Sequence, residues 1–127
     1  MSRTAHGTFE VTITPQDGDD GIGRFALAKT WSGDLSGTSH GLMLSAGDPT
    51  AGRAGYVALE VVDATLGELS GSFAFQQLGV MRDADQRLEY LVVPGSGTGG
   101  LTGIEGGLVL TIDEHGHSYE LTYDLDS

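Results

Sequence analysis

Lys29 is the only lysine in the chain, and its surroundings in the sequence make it the first candidate for chemistry. It lies in an alternating stretch where Phe25, Lys29 and Trp31 share one phase, so a strand here places the ammonium on an apolar face. Glu60 follows Tyr56 on one phase of another alternating stretch. Because an isolated buried ammonium costs several kcal/mol unless it is paired, we predict a buried Lys29–Glu60 ion pair.

Such a pair has two interpretations. As a structural ion pair, it would fix the register between strands. As the polar end of a ligand cavity, it would carry acid–base chemistry, since buried pairs in clefts often have pKa values suited to proton transfer. In that case both residues would be catalytic: Lys29 would stabilise a developing oxyanion, and Glu60 would accept or relay a proton.

Aromatic and amide side chains accompany the pair on the phases that carry the large apolar residues. These candidates for ligand binding are Trp31, Tyr56, Gln77, Tyr90, His117, Tyr119 and Tyr123. A cavity lined by them would be apolar with a few polar groups, as small-molecule sites usually are. The alternatives are ordinary core packing for Trp31 and the tyrosines, and a solvated position at the rim for His117, which lies beside a turn.

No motif indicates a metal or a cofactor. The spacing of the four histidines does not match a metal site. The acidic stretch 15–21 lacks the ligand spacing of a calcium loop, and GSGTGG (95–100) lacks the lysine and the βαβ context of a phosphate loop. No nucleophile elbow is present. We therefore predict a protein that works without a metal or a cofactor.

Eight short alternating or apolar stretches predict an all-β protein. The predicted strands cover 8–14, 24–32, 35–45, 56–62, 70–78, 88–94, 108–112 and 117–125. The polar stretch 15–21 is predicted to be a turn and 46–54 a loop. The regular spacing favours a closed antiparallel eight-stranded barrel in a single domain, 1–127, with a sandwich as the alternative. A barrel of about eight strands has room inside for side chains or one small ligand.

The segment between the sixth and seventh predicted strands has seven glycines within the thirteen residues 95–107. A flexible linker is one interpretation, but Leu101 and Ile104 are three apart, the spacing of one helical or 3₁₀ turn. We predict a compact corner held by these two side chains. Glycine would supply the positive φ angles and the close backbone approach that such a corner needs.

Composition excludes several classes of protein. Eighteen acidic and six basic residues give a net charge of −12, so neither nucleic acid nor an anionic membrane surface is expected as a partner. The absence of cysteine excludes disulfides, zinc–thiolate sites and cysteine nucleophiles. The first residues lack the apolar core of a secretory signal, and no apolar run is long enough to span a membrane, so we expect a cytoplasmic protein.

A group of apolar residues falls on the phases assigned to the outside of the barrel. They are Leu42, Leu44, Val57, Leu59 and Val61. A barrel without covering helices must hide or tolerate such a patch. We expect a homodimer, because a symmetric dimer is the commonest way of covering it.

Eight runs of residues, taken together and in order, resemble a known bacterial family. They are GTFEV (7–11), GDLSGTS (33–39), MLSAG (43–47), AGYVALE (54–60), GSFAFQ (71–76), VVPGSGTG (92–99), LTGIEG (101–106) and HSYELTY (117–123). Nearly the whole chain is similar to the family catalogued as domain of unknown function 3224, whose members resemble small relatives of the allene oxide cyclase barrel. The resemblance implies a closed, lipocalin-like antiparallel barrel with a central cavity. It also implies an isomerase or cyclase of hydrophobic substrates, or an aspartic-peptidase-like activity.

Gln77 departs from the family pattern, in which histidine often stands at this position. Glutamine can hydrogen-bond but cannot titrate near neutral pH. The peptidase chemistry would need two carboxylates sharing a proton, and Glu60 is the only carboxylate on the inward phases. We therefore predict a barrel that binds a hydrophobic small molecule and, if catalytic, acts on it as an isomerase or cyclase by acid–base chemistry. The alternative is a non-catalytic binding or structural barrel.

Overall fold

The computed structural model describes residues 2–19, 21–114 and 116–125, and this part of the chain is mostly β-strand. The strands are β1 (Arg3–Asp19), β2 (Ile22–Gly33), β3 (Leu35–Asp48), β4 (Arg53–Leu66), β5 (Leu69–Arg82), β6 (Asp85–Val92), β7 (Ile104–Asp113) and β8 (Gly116–Leu125). Two 3₁₀ helices, Pro49–Ala51 and Gly99–Leu101, lie between strands. Within the described residues, no helix is long and apolar enough to cross a membrane. Asp20 and His115, which the sequence places in turns, lie outside the described residues.

The strands form one closed antiparallel barrel in which each strand pairs with its neighbours in the chain and β8 pairs with β1. This confirms the predicted single-domain, eight-stranded barrel. The β1–β2, β3–β4, β5–β6 and β7–β8 turns lie at one end, which we call the hairpin end. The β2–β3 and β4–β5 turns and the glycine-rich segment between β6 and β7 lie at the other, which we call the corner end.

Two hairpin turns are shorter than the sequence indicated. The prediction of a turn over 15–21 is wrong for its first part, because β1 continues to Asp19. The predicted loop 46–54 is wrong at both ends, because β3 runs to Asp48 and β4 begins at Arg53. Ladder hydrogen bonds join backbone groups and need no apolar side chain, so polar residues can extend a strand beyond the core.

Side chains alternate between the interior and the outer surface, and the corner half of the barrel is packed most tightly. The largest fully buried side chains are Trp31, Phe73, Phe75, Leu35, Leu66, Leu101, Ile104, Leu121, Glu60 and Val62. All of them except Glu60 are apolar, and most lie toward the corner end. The barrel is therefore closed at this end by an apolar core, and Glu60, the one buried carboxylate among the residues whose burial is described, lies nearer its middle.

The glycine-rich corner folds back over β5, as the sequence predicts. Leu101 and Ile104 are fully buried. The Thr98 N–H donates to the Ser72 carbonyl at 2.8 Å, which fastens the corner to β5. A Cβ added at Gly97 would lie 2.0 Å from the Leu101 carbonyl oxygen, so the chain can approach itself this closely only at a glycine.

The ladder between β6 and β7 is shorter than the ladders between the other neighbouring strands of the barrel. These two fully described strands share a ladder pair only at Leu91 and Gly107, whereas β7 pairs with β8 from Ile104 to Asp113. No ladder pair joins β6 to β7 between Leu91 and the hairpin end. The barrel wall is therefore least continuous on this side, next to the inward side chain of Tyr90.

Candidate functional site

Lys29 on β2 and Glu60 on β4 point into the barrel and form an ion pair, with 2.8 Å between Nζ and Oε1. The intervening strand β3 presents small residues to them, Ser39 opposite Lys29 and Gly41 opposite Glu60. A Cβ added at Gly41 would lie 2.6 Å from the Glu60 Cα, so the glycine leaves the room that the glutamate occupies. Lys29 is 7% exposed and Glu60 1%, which confirms the predicted buried pair.

The Glu60 carboxylate accepts four hydrogen bonds. Its Oε1 accepts from Lys29, from the Tyr90 hydroxyl and, at 2.8 Å, from Gln77 Nε2. Its Oε2 accepts from the Ser39 hydroxyl at 2.6 Å. One cation and three neutral donors therefore satisfy a carboxylate whose burial would otherwise be costly.

The Lys29 ammonium has aromatic neighbours as well as its carboxylate. It donates to the Tyr90 hydroxyl at 2.6 Å, so Tyr90 bridges the two members of the ion pair. Its Nζ lies 5.1 Å from the ring centroid of Phe9, 5.5 Å from that of Trp31 and 5.0 Å from that of Tyr90. At these distances the ring faces attract a cation, so they add to the stabilisation that the carboxylate gives the Lys29 ammonium.

Two further hydrogen bonds connect these groups to the barrel wall. Trp31 Nε1 donates to Ser39 Oγ at 3.1 Å, and the Tyr56 hydroxyl donates to Gln77 Oε1 at 3.2 Å. Within the described residues, no buried side-chain polar atom lacks a hydrogen-bond partner. We call the following set the polar cluster: Lys29, Ser39, Glu60, Gln77 and Tyr90.

Burial changes the proton affinities of the polar cluster. It lowers the pKa of the Lys29 ammonium, while the attraction of the Glu60 carboxylate and the hydrogen bond that Lys29 donates to it raise this pKa. Burial raises the pKa of the Tyr90 hydroxyl well above its ordinary value, and the negative charge of Glu60 raises it further. The same two causes raise the pKa of Tyr56. The cluster thus combines a lysine that loses its proton more easily than usual with a phenol that keeps its own.

Four of the seven predicted ligand-binding residues join this network. Gln77 and Tyr90 hydrogen-bond to the ion pair directly, and Trp31 and Tyr56 are connected to it through one intervening side chain, Ser39 and Gln77 respectively. His117 does not join it: this half-buried residue lies toward the hairpin end with its ring centroid 5.0 Å from that of Phe9.

The remaining two predicted residues have surroundings of another kind. The Tyr119 hydroxyl accepts from the Leu35 N–H at 2.9 Å and contacts the Ser32 carbonyl at 3.1 Å, which ties β8 to the β2–β3 turn. Tyr123 packs in the apolar core of the corner half. Both side chains therefore support the fold at some distance from Glu60.

Ser39 and Phe9 belong to the site although they were not among the predicted residues. Ser39 bridges Trp31 and Glu60, and Phe9 packs one ring face toward Lys29. The only sequence signal for Ser39 was its place on the small-residue phase of β3, where a hydroxyl can substitute for bulk. Phe9 lies on the inward phase of β1, but nothing in its local pattern separates it from any other core phenylalanine.

The inward-phase side chains at the hairpin end are more exposed than those of the polar cluster. We call the inward-phase side chains at this end the mouth: Val11, Ile13, Phe25, Met43, Tyr56, Leu88, Leu110 and Ile112. None of them is fully buried, and Ile13, Leu88 and Ile112 are exposed although they share the phases of buried neighbours. At the corner end Leu35, Leu66 and Ile104 are fully buried and Ala64, Leu69 and Leu125 partly buried, so the inward-phase side chains are more exposed at the hairpin end.

The chemistry available in this arrangement is proton transfer. Among the described residues, Glu60 is the only buried carboxylate, so the pair of carboxylates that an aspartic peptidase uses is not assembled here. The described residues also contain no group of three or more His, Asp or Glu placed to hold a metal ion. A carboxylate acceptor, a lysine and a tyrosine within hydrogen-bond distance are groups that can move a proton and stabilise an oxyanion.

Alkaline pH is expected to destabilise the protein steeply above about pH 10, the ordinary pKa of tyrosine. Burial raises the pKa of Tyr56, Tyr90 and Tyr119 in the fold, so the unfolded chain releases these protons first. The stability that the three neutral hydroxyls provide is complete below about pH 10 and is lost as the pH rises through the folded pKa values. Tyrosinate absorbance, followed together with circular dichroism, should show three tyrosines that ionise only as the barrel unfolds. Reversible ionisation of all tyrosines near pH 10 in the folded barrel would contradict this.

Comparison with known proteins gives one family. The sequence model described as "Protein of unknown function (DUF3224)" matches residues 5–123. The chain is similar to a protein of unknown function from the DUF3224 family of Shewanella oneidensis MR-1, whose crystal structure was solved at 1.84 Å resolution. The two are 38% identical and superpose with a TM-score of 0.94 over 100% of this chain and 99% of that one. No curated protein matches the sequence.

Proposed function

The chain belongs to the DUF3224 family of proteins of unknown function, and we propose that it is a small-molecule-binding β-barrel. Its ligand is an apolar small molecule that enters through the mouth and meets the polar cluster at the bottom. The protein is a cofactor-independent isomerase or cyclase that moves a proton on this ligand.

The asymmetry between the two ends of the barrel is the observation that carries the proposal. Ile112 is 66% exposed on an inward phase, whereas Leu35, Leu101 and Leu121 at the corner end are fully buried. Leaving apolar side chains in water at one end has a cost, because each would gain from burial. An apolar ligand seated in the mouth removes that surface from water. Small-molecule sites typically combine such walls with a few polar groups, which the cluster supplies.

The polar cluster supports an acid–base reaction at a carbon next to a carbonyl. Glu60 takes a proton from that carbon, the C–H electron pair moves toward the carbonyl oxygen, and Lys29 donates a hydrogen bond to the resulting oxyanion. When a C=C bond lies β,γ to that carbonyl, the intermediate is a dienolate, so the proton can return from Glu60 to its γ carbon, which moves the double bond next to the carbonyl and completes an isomerisation without any other reactant. Tyr90 remains protonated because its pKa is raised, so it holds the Glu60 carboxylate in place and can also donate to the oxyanion.

A non-catalytic binding barrel is the second candidate, and the pairing within the polar cluster favours it. Glu60 already accepts from four donors, and no buried side-chain polar atom in the described part of the protein lacks a hydrogen-bond partner. A substrate must therefore displace one of these bonds before chemistry can occur. In the second candidate this exchange does not take place, and the ion pair only sets the register of β2 against β4.

Binding at the mouth is tested with an uncharged, environment-sensitive naphthylamine dye. Because Trp31 is the only tryptophan, energy transfer from it to the dye reports binding to the protein, and substitutions in the mouth then locate the dye. Ile112→Glu is expected to raise the Kd of the dye about tenfold or more, since it places a charge in the apolar wall. Val109→Glu is the matched control, because Val109 is 67% exposed on the same strand but on the outward phase. Equal effects of the two substitutions, or no dye binding to the wild type, would overturn the mouth as a binding site.

The catalytic step is tested separately by exchange of carbon-bound hydrogen. A panel of apolar ketones is incubated with the protein in deuterated water, and exchange next to the carbonyl is followed by NMR. The proposal predicts exchange with at least one ketone and its loss in the double variant Lys29→Met/Glu60→Gln, provided that this variant still binds the dye. Dye binding without exchange for any ketone would instead support the non-catalytic binding barrel.

A further inference from the structure

We propose that a second copy of this chain docks on the outer surface of β2–β6, forming a two-fold dimer whose axis runs along β4. The surface, here named the outer apolar face, consists of three cross-strand rows. The first row is Arg24, Leu44, Val57, Leu78 and Glu89. The second is Ala26, Leu42, Leu59, Gln76 and Leu91, and the third is Ala28, His40, Val61 and Ala74.

The outer apolar face is large enough for a stable interface. Its seven large apolar side chains are all exposed, with Leu59 at its centre 60% exposed. Their exposed parts amount to roughly 600 Å², and the smaller side chains of the rows bring the face close to the ~800 Å² per partner of a standard interface. A groove of about 1250 Å³ crosses the face from Arg24 to Glu89, and Glu60 and Gln77 of the polar cluster also contribute to its lining. Patches of this size on a protein surface usually mark an interaction site.

The distribution of charge explains why the partner is another copy and why it approaches on this side. At a net charge of −12, two copies repel each other at most orientations. The outward phases of β1, β7 and β8 carry acids such as Glu10, Glu105 and Glu120, all of them exposed. Within the three rows the only acid is Glu89, at one end of the first row. Two acidic chains can therefore meet face to face here with little repulsion.

The first row also selects the orientation of the second copy. Arg24 and Glu89 stand at opposite ends of this row, two strands to either side of Val57 on β4. A two-fold axis that lies between the copies and runs along β4 places Arg24 of each copy on the same flank of the interface as Glu89 of the other. An axis along the row would instead place Arg24 opposite Arg24, which like-charge repulsion disfavours. The charges at the two ends of the first row are thus complementary when the axis runs along β4, and not when it runs along the row.

Sedimentation velocity over a range of micromolar concentrations tests the face. The wild type is expected to sediment as a dimer, and Leu59→Glu to raise the dimer Kd on the order of 100-fold or more, because the symmetric interface carries the change twice. Val109→Glu, an equally exposed apolar position on the outward phase of β7, is expected to leave the Kd unchanged within about twofold. A monomeric wild type at one hundred micromolar, or a Leu59→Glu variant that dimerises like the wild type, would overturn the proposal.

Charge reversal tests the orientation of the axis. Arg24→Glu and Glu89→Arg are each expected to raise the Kd about tenfold or more, whereas the double variant should return to within about threefold of the wild type. Arg3→Glu changes the net charge by the same amount as Arg24→Glu, but Arg3 is exposed on β1, away from the face. If Arg24→Glu weakens the dimer no more than Arg3→Glu does, or if the double variant is not rescued, the axis along β4 is wrong.

Discussion

Replacing Lys29 with methionine is expected to lower the free energy of unfolding by about 3–5 kcal/mol. The substitution removes the only cation that faces the Glu60 carboxylate, which is 1% exposed and lies 2.8 Å from Nζ. Tyr90, Gln77 and Ser39 still donate to the carboxylate, but neutral donors do not replace the attraction of a full charge. Either an unpaired charge stays buried or Glu60 takes up a proton on folding, and both outcomes reduce stability.

Glu60→Gln is expected to have a comparable effect with a different dependence on pH. Burial already lowers the pKa of Lys29 below its ordinary value, and the variant removes the carboxylate that opposes this. The unfolded chain then holds the Lys29 proton up to a higher pH than the folded barrel does. Stability of this variant should therefore rise as the pH increases from 7 toward about 9.5, below the range in which tyrosines ionise. The wild type should show a smaller rise over the same interval.

The double variant Lys29→Met/Glu60→Gln should recover much of the lost stability, because the two sites interact directly. Arg53→Met is the matched control: it breaks an exposed ion pair with Asp83 and is expected to cost less than about 1 kcal/mol. Urea unfolding at one fixed protein concentration measures all four variants, since the proposed dimerisation would add to the apparent stability. If each single change at Lys29 and Glu60 costs less than about 0.5 kcal/mol, the buried pair contributes nothing to the fold.

The ion pair could be predicted from the sequence because it depends only on the period of a strand. Alternation placed Lys29 in phase with Phe25 and Trp31, and the cost of a lone buried ammonium then required a partner. The number of candidates was small: Glu60 was the only acid on an inward phase. The same alternation, repeated eight times with short turns, predicted the closed barrel.

The rest of the polar cluster depends on register, which the alternating pattern does not contain. Ser39 reaches both Trp31 and Glu60 because β3 pairs with β2 and β4 at particular positions. Tyr90 meets Lys29 although it lies 61 residues away in the chain. By contrast, Tyr119 shares an inward phase but binds the backbone of the β2–β3 turn at 2.9 Å. Alternation indicates which side chains point into a barrel, but not the position of each one along the barrel axis.

Truncating Leu101 to alanine is the second change expected to have a large effect, about 2–5 kcal/mol of lost stability. Leu101 is fully buried, and it comes from a corner whose other anchor, Ile104, is buried equally. Removing most of the side chain leaves a cavity under the corner, and the neighbouring backbone is too tightly packed to move in. A Cβ added at Gly71 of β5 would lie 2.1 Å from the Thr98 carbonyl oxygen, which shows how closely β5 and the corner already approach.

The stability lost in Leu101→Ala can be detected in two ways, because the corner lies at the end of the barrel and can open with it or alone. If the corner unfolds together with the barrel, Leu101→Ala lowers the urea midpoint, and amide exchange speeds up throughout the core. If it opens alone, exchange rises first at the Thr98 and Val93 amides, which donate to the Ser72 and Ala74 carbonyls at 2.8 and 2.9 Å. The glycine-rich corner packs as part of the core, so we expect the first route.

Val109→Ala is the control, at a position that is 67% exposed. It should change the free energy of unfolding from urea, and the free energy of opening from amide exchange, by no more than about 0.5 kcal/mol. If Leu101→Ala lowers the free energy of unfolding by less than about 1 kcal/mol in both measurements, the corner is a flexible linker and does not form part of the core.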